Sequence, residues 1–223
     1  MHDTSVAGRE RIEPVDYRPT GSWLIDAPSS PLNRAPWSSV GDALVRAALE
    51  QFAVEGFENV NIEDIVSACD VSPRTFFRYF STKEDVLFAD ADEKRRNLVE
   101  ILEAQPDDIP PLRALQVAIS TLCGEYEDQR ELLLLRHRTI TTTPALRGRQ
   151  AERTHSWEST VVDEMRRTGR AGPMSDLDLR LLVAVAVTAL RVSTEQWIND
   201  ENPADLRTLV DSTFDKIRRG LEG

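Results

Sequence analysis

The chain has 223 residues and a formal net charge of −11, with 40% hydrophobic and 29% charged residues, so it can bury a full core and is neither a disordered nor a low-complexity polymer. Cys69 and Cys123 lie far apart with no CxxC spacing, which excludes a disulfide framework and a zinc ribbon as the organising device. The longest apolar run, Leu181–Leu190, is flanked by Arg180 and Arg191 and falls well short of the ~20 residues a bilayer requires; with no secretion signal at the start, the chain is expected to be cytoplasmic with no membrane partner.

Residues 1–37 carry Pro14, Pro19, Pro28, Pro31 and Pro36 without sustained periodicity and read as an irregular arm. From Ser39 the signals turn helical: Val40, Leu44, Ala48 and Phe52 recur on one face until Gly56 closes the segment. Asn61 caps a short second helix bearing Ile62, Ile65 and Val66, and Asp64 in its first turn favours the helix dipole. After "CDVS", Ser72 followed by Pro73 opens a third helix, because proline at the first helical position loses no hydrogen bond. Ser81 with Glu84 three residues on predicts a capping box and a fourth helix running to about Leu102, ended by "QPDDIPP".

Further helices are predicted over 111–128, 129–141, 144–169, 176–199 and 204–221, with breaks at Pro144, "GRAGP" and Asn202-Pro203. No alternating pattern competes, so the fold class is all-α. The expected architecture is an N-terminal three-helix helix-turn-helix domain over 38–89, followed by a larger helical bundle over 90–223 for ligand binding and dimerisation.

Charge is distributed unevenly. The segment 38–89 is acidic overall, yet Ser72–Lys83 holds Arg74, Arg78 and Lys83 and no acid, with Phe76, Phe77, Tyr79 and Phe80 packed among them. On a helix, residues three and four apart share a face, so Phe76, Phe80 and Val71 form an apolar side for packing on Ile62, Ile65, Val66, Leu44 and Phe52. Arg74, Thr75, Arg78 and Tyr79 then look outwards. Two short helices joined this tightly suit a DNA-reading helix-turn-helix, whose second helix enters the major groove. Arg74 is placed to reach a guanine edge, while Thr75, Tyr79 and Lys83, with the N–H groups of the fourth helix's first turn, suit phosphates.

The run "NIEDIVSACDVSPRTFFRYFSTKEDVL", Asn61 to Leu87, resembles the DNA-binding signature of the TetR family of one-component transcriptional regulators. Val71, Ser72, Thr75, Tyr79, Phe80, Lys83, Glu84 and Leu87 match that pattern, and "RTFFRYF" is similar to a subgroup seen in actinobacterial regulators. Three positions depart from it: Asn61 replaces threonine, Asp70 replaces glycine, and Phe77 replaces a phosphate-binding tyrosine. Asn61 still caps and donates, Asp70 must tolerate a left-handed turn, and Phe77 loses a hydroxyl. The resemblance implies a DNA-binding set of Asn61, Ser72, Pro73, Arg74, Thr75, Phe77, Arg78, Tyr79 and Lys83, acting on a palindromic operator in double-stranded DNA.

For the second half the resemblance implies an apolar cavity for a small-molecule effector, with acyl-coenzyme A-like molecules among the candidates, and a homodimer through the last two helices. "LRLLVAVAVTALRV" is too apolar all round for a one-sided surface helix, which agrees with burial partly by a partner. Candidate cavity residues are Leu122, Tyr126, Arg136, Trp157, Val161, Met165, Val185 and Ala189, although ordinary core packing explains the same pattern. Arg136, His137, Arg138, Arg147, Arg149 and Arg153 form a second basic cluster, suited either to an anionic effector head or to pairing with Glu131, Glu152 or Glu158. No cofactor fingerprint, metal-ligand spacing or catalytic constellation is present, so no enzyme and no metal site are expected. The resulting expectation is a ligand-responsive DNA-binding regulator, a repressor by preference. The rival readings are a helical adaptor using the aromatic-basic face of the third helix, or an enzyme using the apolar cavity.

Overall fold

A computed structural model describes residues 39–124, 126, 129–201 and 203–220; the predicted arm over 1–37 and Asn202 lie outside the described residues. Nine α-helices and no strand are found among them: α1 (Ser39–Glu55), α2 (Ile62–Ala68), α3 (Pro73–Tyr79), α4 (Ala91–Glu103), α5 (Pro111–Cys123), α6 (Arg130–Thr142), α7 (Pro144–Arg167), α8 (Asp176–Asn199) and α9 (Leu206–Arg218).

The local signals act as their chemistry dictates at the first three helices. The Asn61 side chain accepts from the Asp64 N–H at 3.0 Å, and the Asp64 carboxylate accepts from the Asn61 N–H at 2.8 Å, closing a reciprocal box at the start of α2. Ser72 Oγ accepts from the Thr75 N–H at 3.2 Å, and Pro73 occupies the first turn of α3.

The fourth helix departs from expectation. It is split into a 3₁₀ turn over Glu84–Phe88 and α4 from Ala91. The capping interaction forms one residue later than the Ser81–Glu84 pair: the Thr82 N–H donates to Asp85 Oδ2 at 2.9 Å, and the Asp85 N–H donates to Thr82 Oγ1 at 3.3 Å. The interrupted stretch carries the consecutive run Val86, Leu87 and Phe88, all of it buried. Successive side chains point about 100° apart in an α-helix and about 120° apart in a 3₁₀ turn, so such a run needs core on several sides, which α1, Ile140 of α6 and Leu146 of α7 supply before α4 resumes a one-sided pattern.

Two apolar clusters follow. In the first, Leu44, Leu49 and Phe52 of α1 meet Ile65 and Val66 of α2, Phe76 of α3 and the buried 3₁₀ residues. Ile140 of α6 and Leu146 of α7 complete this cluster, so helices from the second half close the core of the first. The second cluster joins α4, α5, α7, α8 and α9 around Leu98, Ile119, Met165, Val183 and Phe214. Polar clasps fix its register. Asp211 Oδ1 accepts from Gln116 Nε2 and from Ser120 Oγ, each at 2.8 Å, tying α9 to α5.

Asp70 sits in the turn before α3 with φ at +52°, the only non-glycine residue of positive φ among those described. The aspartate in the glycine position therefore adopts the left-handed geometry, which Asp tolerates better than most L-residues. Relief of that strain is partly offset by greater freedom of glycine in the unfolded chain. Asp70→Gly is expected to raise stability by about 0.5–1 kcal/mol and Asp70→Val to lower it by about 1–2 kcal/mol, read from urea midpoints. A stabilised Asp70→Val variant would contradict this account.

Candidate nucleic-acid interface and ligand cleft

α3 divides its side chains between core and solvent. Phe76 is fully buried and stacks against Phe80 at a ring-centroid distance of 5.4 Å; Phe77 meets the edge of Phe76 at 5.7 Å but stays 56% exposed. Arg74 and Arg78 are exposed, and Thr75 and Tyr79 are half-buried. Arg78 Nη2 donates to the Tyr79 hydroxyl at 3.0 Å, with the guanidinium 4.9 Å from that ring's centroid. Ser72 Oγ and Thr75 Oγ1 lie 3.1 Å apart, so two hydroxyls share the entrance of the helix beside Pro73 and Arg74. The outward strip thus presents two guanidinium groups and several hydroxyls on a rigid aromatic base, a composition suited to base edges and phosphates.

Lys83 is placed differently from expectation. Its ammonium donates to the carbonyls of Phe57 at 2.7 Å and Val60 at 2.9 Å, and lies 4.4 Å from the Phe57 ring centroid. It fastens the α1–α2 turn to the 3₁₀ turn, and its charge is directed into the protein. The anion site foreseen on the N–H groups of the fourth helix does not form as expected, because the Asp85 carboxylate already takes the Thr82 N–H and no α-helix begins there. A negative group in that position repels phosphate.

A second feature is a cleft of about 660 Å³ between the junction preceding α4 and helices α6, α7 and α8. Leu133, Ile140, Trp157, Val187, Leu190 and Ile198 supply apolar wall; Lys94, Arg136, Arg147 and Arg153 supply positive charge. At its edge the junction is gripped from several sides. Arg136 Nη1 donates to both Asp90 oxygens, at 3.0 and 3.2 Å, and Lys94 Nζ reaches Asp90 Oδ2 at 2.7 Å. Burial alone would raise the Asp90 pKa, but the charges of Arg136 and Lys94 and their hydrogen bonds outweigh it and hold the carboxyl well below the usual range. From α7, Arg153 stacks 4.8 Å from the Phe88 ring centroid, and Trp157 Nε1 donates to the Ala91 carbonyl at 3.5 Å.

Residues 44–89 match the family described as bacterial regulatory proteins, tetR family, and residues 109–222 match the MftR C-terminal domain. The chain is also 30% identical over 190 residues to the HTH-type transcriptional regulator TcmR of Streptomyces glaucescens, covering 81% of this chain and 83% of TcmR. The chain belongs to the TetR family. As a TetR-family protein it is a DNA-binding transcriptional regulator of all-α fold. Its fold is similar to that of FadR from Thermus thermophilus in complex with lauroyl-CoA, with a TM-score of 0.54 and 19% identity over 82% of this chain and 95% of that one. It is likewise similar to FadR from Bacillus subtilis in complex with stearoyl-CoA, with a TM-score of 0.57 and 20% identity over 79% of this chain and 96% of that one.

Within this TetR-family architecture, the candidates Tyr126, Arg136 and Trp157 line the cleft. Leu122, Val161, Met165 and Ala189 do not; they are buried in the bundle core, where they contact other apolar side chains, and Val185 is half-buried outside the cleft wall. Helical periodicity marks an inward face but does not separate a packed centre from a hollow one. Arg136 pairs with Asp90 and Arg149 lies 3.9 Å from Glu84, rather than with Glu131, Glu152 or Glu158. Asp90 and Lys94 went unnoticed. Their i,i+4 spacing is a legible signal of a helical pair, yet nothing local announces that Arg136, on α6, completes the group.

Cys123 is buried, and desolvation together with Asp211 and Asp205 pushes its thiol up to about 12, so it behaves as apolar filler. Among the described residues no group of His, Cys, Asp or Glu is arranged to hold a metal ion, and no helix is long and apolar enough to cross a membrane.

Proposed function

We propose that the chain is a homodimeric repressor that occupies a palindromic operator and leaves it when a small, largely apolar, acyl-coenzyme A-like effector enters the cleft. The observation that carries the DNA half is the exposed strip of α3: Arg74 and Arg78 stand outwards while Phe76 and Phe80 anchor the helix from below. Arg74, next to the N-terminal proline, meets a guanine edge. Arg78, Ser72, Thr75, Tyr79 and Asn61 position the helix on phosphates, with Pro73 and Phe77 packing along the backbone. On this reading 38–89 reads DNA and 90–223 senses and dimerises.

Dimerisation is supported by α8, which exposes Leu177 at 74%, Leu181 at 60% and Val192 at 43% on the side away from its buried Leu179, Val183, Ala186 and Trp197. Large apolar side chains aligned on one helix favour an isologous partner. The effector assignment is supported by the apolar cleft with its basic rim and by the lauroyl-CoA and stearoyl-CoA of the similar FadR structures. Release follows as a population shift: an effector that binds better when α4 is displaced favours a spacing of the two α3 helices that no longer fits one turn of DNA.

Selection of bound duplexes from a random pool tests the assignment. A palindrome should emerge, with affinity falling steeply as salt rises, and Arg74→Ala should relax preference at one base position by about 1–3 kcal/mol while leaving the others intact. Equal binding of every duplex by parent and variant refutes base reading by Arg74.

A further inference from the structure

Asp90 occupies an unusual position. It falls between the 3₁₀ turn and α4, where the DNA-reading helices join the rest of the chain, and it is one of the residues lining the cleft. Both of its cationic partners, Arg136 and Lys94, line the same cleft. The ion group is therefore not sealed inside packed side chains; it borders space sized for a small molecule.

Three observations argue against a purely structural ion pair. Desolvating a carboxylate and two cations is unfavourable enough that well-packed apolar residues serve stability at least as well. The group is also incompletely satisfied, because Arg136 Nε is buried and finds no hydrogen-bond partner among the described residues. A guanidinium presents a planar fork that matches an anion bidentately through Nε and an Nη, whereas here only Nη1 serves Asp90. Finally, the cleft is cationic in an acidic chain: its lining holds five basic residues, Lys94, Arg136, Arg147, Arg153 and Arg191, against the acids Asp90, Glu158 and Glu195.

We infer that Asp90 is an internal stand-in for the effector: the cleft takes an amphipathic anion whose carboxylate or phosphate replaces the Asp90 carboxylate on Arg136 and Lys94. This deepens, and rests on, the reading of the cleft as an effector site. The apolar body of the ligand lies along Trp157, Leu133 and Ile198, and the displaced Asp90 loses its anchor to α6. Arg153 and Trp157, which hold Phe88 and Ala91 from α7, line the same space, so entry of a ligand disturbs these grips on the junction together with that of Arg136. The effector's charge, more than its tail, then carries the signal to the start of α4. A neutral ligand of the same length fills the cleft but leaves Asp90 in place.

Laurate and lauryl alcohol, which share one chain and differ in charge, are the probes, titrated against the full-length protein by calorimetry. The wild type should bind laurate about tenfold more tightly than lauryl alcohol, within the usual range of coupling between sites. Asp90→Asn, which keeps the shape and removes the internal competitor, should tighten laurate by about a further tenfold and leave lauryl alcohol unchanged. Arg136→Gln should abolish the preference for laurate. Equal affinity of the wild type for both probes, no binding of either, or unchanged laurate affinity in a folded Asp90→Asn overturns the inference. The wild-type comparison and Arg136→Gln decide the matter even where Asp90→Asn fails to fold. Operator binding is scored separately: failure to select any duplex counts against the regulator reading and leaves the probe titrations standing. With an operator in hand, Asp90→Asn should bind it several-fold more weakly without ligand, and undiminished binding counts against Asp90 as the link.

Discussion

Phe76→Ala is expected to lower the stability of the N-terminal helices by about 3–5 kcal/mol and to abolish operator binding at the same time. Phe76 is fully buried at the centre of α3, with Phe77 and Phe80 rings in contact and α1, α2 and the 3₁₀ turn around it. Truncation removes the transfer free energy of the ring and leaves a void that the short helix cannot collapse around, because Ser72, Pro73 and the Asp70 turn fix where α3 begins. α3 has only seven residues, too few to hold helical form in water without this anchor. Urea unfolding followed by circular dichroism, with operator binding measured on the same preparation, checks both halves. A variant that loses less than about 1 kcal/mol would remove Phe76 from the centre of the account.

Arg170→Ala is expected to cost about 2–4 kcal/mol, lowering Tm by roughly 5–15 °C. Arg170 lies between α7 and α8, in the "GRAGP" break, and its side chain is only 5% exposed. Its guanidinium donates to the carbonyls of Pro106 at 3.0 Å and Glu103 at 3.3 Å, and also to that of Gln105. These are the carbonyls at and beyond the C-terminal end of α4, which its own helix leaves without donors. Alanine removes several charge-assisted hydrogen bonds at once, and with them the clasp between the α7–α8 break and the end of α4. Arg170→Lys should recover little, since one ammonium on a flexible stem does not reproduce a fork spread over separate carbonyls. Differential scanning calorimetry of the parent and both variants distinguishes this from a loss of charge alone; a lysine variant as stable as the parent would contradict it.

The parts legible in the sequence were those decided within one or two turns. Asn61 and Ser72 as caps, Pro73 in the first turn, and the division of α3 into buried Phe76 and Phe80 against outward Arg74 and Arg78 all follow from local spacing. Asp70 in the left-handed region was implied by the glycine usual at that place in the resembled family. What escaped was tertiary. The 3₁₀ turn buries three consecutive side chains among helices distant in the chain, Lys83 is drawn inwards by carbonyls of a different loop, and Asp90 gains Arg136 from α6. The cleft wall fails for the same reason: Leu122 and Tyr126 share an apolar pattern and one packed cluster, yet of the two only Tyr126 also reaches the cleft. Where a cluster borrows members from distant elements, periodicity reports that a face is inward and nothing about what it encounters.

The unequal setting of the two thiols gives the protein a natural attachment point for a reporter dye. Cys123 is sealed in the bundle and keeps its proton at neutral pH, whereas Cys69, at the end of α2, is partly accessible although burial and Glu50 raise its pKa. Maleimide is therefore expected to label the unmodified sequence selectively at Cys69, a few positions ahead of α3, which offers a dye beside the proposed DNA-reading helix without any engineered cysteine.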